Sequence, residues 1–356
     1  MSEDFHQFPD KELMNLKKNL ISILHSPHFS IEPIDSGASV RKYFSICFHE
    51  ESEHIPKRLI LMQIPSDRLE IADDYVQISE YLLKNHIPHP KIYHNHRNQG
   101  LLLTYPTKGV RLDIYLKRHP DFLKNIYHQL IFFLIEMQIL AKYDNECPAF
   151  NRLFDEEKYQ YEFQFHVREQ LITKYFKHQI TTGEENHFKN FTDEISRFLD
   201  FKLPVFVHRD FQSSNIFYNG NPIQGNFEII DYQDARSGSP IYDLVSLIWD
   251  SYISIPLKLK QNLINLFYEN HELVQKYFNW EQYQKAIDYT VIQRKLHDAG
   301  AFVYTYQLLQ NDRYLQYIHQ AIIMALDKMK KYQKMNDVIN LFTRLLGGEN
   351  VKNNHI

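Results

Sequence analysis

Apolar and polar positions alternate differently in the first hundred residues and in the rest of the chain. From Pro9 to Ser26, Leu13, Leu16, Leu20, Ile23 and Leu24 recur at helical spacing, which predicts an opening helix. Short β-like runs follow at Ile31–Ile34, Tyr43–Phe48 and Leu59–Ile64, with a tight polar turn, Asp35-Ser36-Gly37-Ala38-Ser39, between the first two. Ile71, Tyr75, Ile78 and Leu82 mark one face of a helix that stops before His86-Ile87-Pro88. Strands are expected again at Lys91–His94 and Gly100–Tyr105.

After Pro106-Thr107-Lys108-Gly109 the helical period takes over. Leu123, Ile126, Leu130, Phe133, Leu134 and Met137 form an apolar stripe, and further helices are expected over Asp155–Phe176 and from about Glu184 to Leu199. A β island interrupts them at Val205–His208, Ile216–Tyr218 and Phe227–Asp231, and from Ile241 onward the chain again reads as helical. The expected fold is therefore α+β, with a strand-rich lobe over residues 1–105 and a larger, mainly helical lobe over 106–356. The β island is where polar side chains break into apolar strands.

Composition narrows the function classes. A net charge of -4 offers no broad basic field, which argues against nucleic acid and anionic membrane as partners. Cys47 and Cys147 are too few for a disulfide framework or a Cys-rich zinc site, so two free thiols are expected. The polar, acidic start at Met1-Ser2-Glu3-Asp4 lacks the pattern of a secretory signal, and the most apolar run, Leu130–Ile135, is too short to cross a bilayer. These readings lead us to expect a cytoplasmic protein. His94 and His96 read as alternate residues of a half-exposed strand in preference to metal ligands.

The chemistry concentrates in Val207-His208-Arg209-Asp210-Phe211-Gln212-Ser213-Ser214-Asn215-Ile216, followed by Phe227-Glu228-Ile229-Ile230-Asp231-Tyr232-Gln233-Asp234. An Asp and an Asn share one loop between strands, and a second Asp closes the next strand. Phosphoryl transfer needs such a set: a carboxylate to orient and deprotonate a hydroxyl, and oxygen ligands for magnesium on nucleotide phosphates.

The His-Arg-Asp tripeptide, with Asn after four further residues, resembles the catalytic loop of protein kinases and aminoglycoside-type phosphotransferases. That resemblance implies a two-lobed kinase-like fold using ATP and Mg2+, with Asp210 as catalytic base and Asn215 and Asp231 as metal ligands. It also makes the first lobe the nucleotide-binding one. Asp231-Tyr232-Gln233 replaces the protein-kinase Asp-Phe-Gly and lies nearer the small-molecule branch. His208 and Arg209 are expected to brace the loop, and Asp243 to steady it from an adjacent helix. Asp234 is open to two roles, support for the metal or contact with substrate.

Closer similarity is to the bacterial N-acetylmuramate/N-acetylglucosamine anomeric kinase family. It rests on Ile230-Asp231-Tyr232-Gln233-Asp234-Ala235, Gly238 through Leu247, Ser36 through Phe44, Leu61-Met62-Gln63-Ile64-Pro65, and Gln293-Arg294-Lys295-Leu296 through Phe302. The resemblance implies a small-molecule acceptor, an amino sugar phosphorylated at its anomeric hydroxyl, and a role in cell-wall sugar recycling. Kinases usually carry a phosphate-binding lysine on the third strand, whereas Met62 stands there in this chain. Arg41 and Lys42 are the expected replacements, beside a turn whose Gly37 and Ser39 would cover the phosphates; the plainer reading makes both cations solvated strand-edge residues. Two other functions stay open: an aminoglycoside or choline kinase, for which Asp155, Glu156, Glu157 and Glu162 would supply an acidic cleft although a solvated acidic helix face explains them equally well, or a pseudokinase.

Overall fold

The computed structural model describes residues 10–35, 40–49, 56–201, 205–220 and 227–352. The chain forms two compact units, Met1–Ser79 with Pro90–Thr107, and Glu80–His89 with Lys108–Ile356.

In the first unit, helix α1 (Asp10–Leu24) precedes strands β1 (Phe29–Ile34), β2 (Lys42–Phe48) and β3 (Arg58–Gln63). Helix α2 (Glu70–Lys84) follows and runs into the second unit, and strands β4 (Ile92–His96) and β5 (Leu101–Thr104) complete the sheet. The strand order is β1-β2-β3-β5-β4, and every neighbouring pair is antiparallel. Alternation places Phe44, Ile46 and Phe48 on one face of β2, where they pack with Leu59 and Leu61 and with Leu16, Leu20 and Leu24 of α1. Met62 is buried opposite Tyr43. His94 and His96 share one face of β4 with ring centroids 4.6 Å apart, as alternate strand residues should.

The second unit contains β6 (Val110–Arg111), α3 (Leu112–Arg118), α4 (Leu123–Leu140), α5 (Glu156–Glu162) and α6 (Thr182–Leu199). Strands β7 (Val205–Val207), β8 (Ile216–Tyr218), β9 (Phe227–Ile229) and β10 (Arg236–Gly238) come next, then helices α7 (Ile241–Ile248), α8 (Leu257–Asn270), α9 (Glu272–Tyr277), α10 (Trp280–Leu309), α11 (Ile318–Met329) and α12 (Asn336–Lys352). The start of α6 is fixed by a capping box in which Thr181 and Glu184 satisfy each other's backbone N–H groups. The strands form two small antiparallel sheets, β7 with β10, and β6-β8-β9. No helix among the described residues is long and apolar enough to cross a membrane.

Where the periodicity predicts one helix over Asp155–Phe176, the structure has two kinds. The α-helical turns of α5, capped by Asp155 through its bond from the Lys158 N–H at 3.0 Å, pass into a π-helix over Phe163–Tyr175. Glu162, Val167 and Ile172, five positions apart, are all fully buried. An α-helix would turn that spacing off one face, whereas i→i+5 bonding stacks it. The π-helix lies against α10 at Gly300, where an added Cβ would come within 1.9 Å of the His166 carbonyl oxygen. Glycine is therefore required there for the two backbones to touch.

Candidate active site

Residues 208–215 leave β7 as a tight loop whose backbone is held from several directions. Asp243, on the first turn of α7 and fully buried, accepts the His208 N–H at 2.7 Å and the Arg209 N–H at 3.0 Å, one on each carboxylate oxygen. Burial pushes its carboxyl up to about 7, and the two N–H bonds pull the other way. His208 is buried and bonds through Nε2 to the Ile230 carbonyl at 2.9 Å. A carbonyl only accepts, so Nε2 carries the proton; burial lowers this histidine's pKa and keeps the ring neutral. One side chain thus ties the Asp210 loop to the residue preceding Asp231.

Arg209 adopts φ 76° and Asp231 φ 66°, both left-handed. Asp tolerates that region through its short polar side chain, whereas for arginine it costs about 1–2 kcal/mol and needs external support. The support is visible. The Arg209 guanidinium reaches the fully buried Glu162 of α5 at 3.0 Å and lies over the Phe154 ring at 5.5 Å. Its carbonyl accepts Arg294 Nη1 at 2.6 Å and Ser246 Oγ at 3.3 Å. Glu162 also takes Lys158 at 3.3 Å and Gln293 Nε2 at 2.8 Å. Burial opposes its ionisation, but His297, Arg209 and Lys158 overcome that and hold the carboxyl at about 2.

Asp210 points its Oδ1 at Arg294 Nη2, 2.7 Å away on α10, and its side chain keeps 36% of its surface accessible. Arg294 is itself buried, bonded to the Tyr242 hydroxyl at 3.0 Å and paired with Asp298 at 2.9 Å. One carboxylate oxygen of Asp210 is thereby fixed, and the side chain remains reachable.

Asn215 closes the short 3-10 turn Ser213–Asn215. Its Nδ2 donates to the Asp210 carbonyl at 3.0 Å, so its Oδ1 is the atom left to face a ligand. The Asn215 carbonyl accepts the Ile230 N–H at 3.0 Å, continuing the β8–β9 ladder, which sets Asp231 one residue beyond. Asp231 Oδ1 takes Gln233 Nε2 at 3.0 Å. One carboxylate and one amide oxygen form a hard donor set suited to magnesium, and too small to hold it without further oxygens such as those of phosphates. Correspondingly, no group of three His, Cys, Asp or Glu among the described residues could cage a metal alone.

His208, Arg209, Asp210, Asn215 and Asp243 thus share one hydrogen-bonded net that reaches Ile230, the residue before Asp231, while Asp234 is exposed. Arg41 and Lys42 belong to the first unit: Arg41 is buried with its guanidinium 5.9 Å from the Tyr43 ring centroid, and Lys42 pairs with Gln63 across β2–β3. Gly37 and Ser39 lie outside the described residues.

Three contributors escape a reading of the sequence. Arg294 falls within the Gln293–Leu296 segment already singled out for its resemblance, with nothing local to mark its role. Asp250 is buried and accepts both the N–H (2.8 Å) and the hydroxyl of Ser213, anchoring the turn that carries Asn215. Glu162, read as part of an acidic helix face, is instead a buried counter-ion.

The chain is similar to several known proteins. A family model described as the phosphotransferase enzyme family matches residues 30–275. An N-acetylmuramate/N-acetylglucosamine kinase of Neisseria meningitidis serogroup B is 22% identical over 356 residues, spanning 95% of this chain and 97% of that protein. One of the same name from Pseudomonas aeruginosa is 24% identical over 281 residues, spanning 78% of this chain and 77% of its own. Among solved structures, an ethanolamine kinase of Plasmodium vivax has a TM-score of 0.64 at 12% identity, covering 91% of this chain and 92% of that one. An ADP-bound aminoglycoside phosphotransferase has a TM-score of 0.59 at 13% identity, covering 87% and 97%. The fold is the protein-kinase-like α+β fold, with a strand-rich N-terminal sheet and a mainly helical remainder. With the family model spanning well over half its length, the chain belongs to the phosphotransferase enzyme family and is a small-molecule kinase.

Proposed function

We propose that this kinase transfers the γ-phosphate of ATP to the anomeric hydroxyl of an amino sugar such as N-acetylmuramate or N-acetylglucosamine. The reaction is supported by the bond from Asn215 to the Asp210 carbonyl and by the bonds that tie His208 and Asn215 to Ile230, the residue next to Asp231. The acceptor rests on motif resemblance along the chain and on the names of the two relatives.

In this reading Asp210 Oδ2 meets the acceptor hydroxyl, because Arg294 holds Oδ1. The carboxylate orients the oxygen in line with the γ-phosphorus and takes its proton as the new O–P bond forms and the bond to ADP breaks. Asn215 and Asp231 would hold magnesium, which when bound neutralises charge on the phosphates. Asp243, His208 and Asp250 contribute by fixing the loop, so that the base is positioned before substrate arrives.

A cationic acceptor, such as choline or an aminoglycoside, finds less support in the acids of α5. Asp155 caps the helix, Glu156 pairs with Arg197 at 3.3 Å, and Glu162 is neutralised by Arg209 and Lys158.

Purified protein with ATP and magnesium, offered amino sugars, aminoglycosides and choline in turn, should release ADP only with an amino sugar. Release with another acceptor alone, or with none, rejects the proposal. Arg41 is assigned the phosphate contact that Met62 cannot make, so Arg41→Ala should raise the Michaelis constant for ATP by about tenfold, the loss of one charge-assisted bond. An unchanged constant removes that assignment.

A further inference from the structure

Arg236 sits beside the Asp210 loop without a counter-ion. It opens β10 opposite Val207, three positions before Asp210 in the chain. Its Nη1 reaches the Leu153 carbonyl at 3.4 Å, while its Nε is buried and makes no hydrogen bond. No carboxylate among the described residues pairs with it. Glu162, whose charge Arg236 feels, is already engaged by Arg209, Lys158 and Gln293. Asp234 is exposed.

Lys158, Arg209 and Arg236 all draw on the buried Glu162, and while Asp210 and Asp234 also act on Arg209, only the exposed Asp234 adds to it at Arg236. Arg209 Nε and His166 Nδ1 are also buried without a partner. Burial and then Arg209 draw the Arg236 pKa below the usual arginine value, the direction expected where positive charge is under-neutralised. Buried donors without acceptors and cations without anions are each costly, and one bound anion relieves both.

We infer that Arg236, backed by Arg209 and Lys158, forms an anion subsite that receives a carboxylate carried by the acceptor, so that acidic amino sugars are preferred to neutral ones. The inference rests on the amino-sugar reading above. Arginine suits the task because its planar fork matches a carboxylate.

The test compares N-acetylmuramate, which carries a lactyl carboxylate, with N-acetylglucosamine, which lacks it. The wild type should show the higher kcat/KM with the acid. Arg236→Gln should lower kcat/KM for the acid about 10- to 100-fold, mainly through KM, and leave the neutral sugar within about twofold. Arg236→Lys should recover part of the loss. The subsite is overturned if Arg236→Gln lowers both sugars in proportion or changes neither. If the wild type turns over neither sugar, the amino-sugar reading has failed, and thermal unfolding then decides the subsite. Sodium D-lactate raising the wild-type Tm above equimolar sodium chloride, but not that of Arg236→Gln, sustains it; equal shifts reject it.

Discussion

Asp210→Asn should lower kcat by about 10²–10⁴-fold and move the Michaelis constants by no more than about threefold, the signature of a group used only in the transition state. An amide can still accept the Arg294 bond through its oxygen but cannot take a proton. The loop should survive, because Asp243, His208 and Asp250 anchor it through bonds that do not pass through the Asp210 carboxylate. Steady-state kinetics with the amino sugar identified by ADP release would measure this. Retention of kcat within about tenfold would remove Asp210 as general base.

The largest stability effect is expected at Glu162. Glu162→Gln leaves the Arg209 and Lys158 cations facing an uncharged group in a buried site, and breaking such a pair costs about 3–5 kcal/mol. Denaturant unfolding at neutral pH should show this as a lowered midpoint with an unchanged slope. The effect has a defined pH dependence. Its carboxyl is held at about 2 in the folded protein against 4.5 ordinarily, so the native state gains from ionisation. That stabilisation is complete above the unfolded value and disappears as pH falls through the window from 4.5 to about 2. The gap between wild type and variant should therefore close across that window. A gap that is constant with pH, or under about 1 kcal/mol at neutrality, would show that Glu162 is not the buried counter-ion.

Much of this molecule was legible from local pattern. The alternation in Phe44, Ile46 and Phe48, and the runs at Leu59–Ile64 and Gly100–Tyr105, mark strands because their side chains have a single buried face. The order His208, Asp210, Asn215, Asp231 is legible as a candidate site because those residues belong to one loop and the hairpin after it. Other features leave no such trace. Strand β10 is Arg236-Ser237-Gly238, with no apolar residue, and is a strand only because β7 lies alongside. The π-helix was hidden because its fully buried Phe163, Val167 and Leu171 recur every four residues, a spacing that an α-helix also gives. Arg294 meets Asp210 across 84 residues and Asp250 meets Ser213 across 37, separations over which periodicity carries no information.

Arg209 carries a left-handed backbone that its own side chain makes tolerable through Glu162, 47 residues away. The two positions should therefore drift together in evolution. A lineage that loses the acid on α5 retains only the conformational penalty of arginine, and selection would then favour glycine, which adopts φ 76° freely. Paired loss, glycine in the loop with a neutral residue on α5, is the covariation to look for when sequences of close relatives are compared.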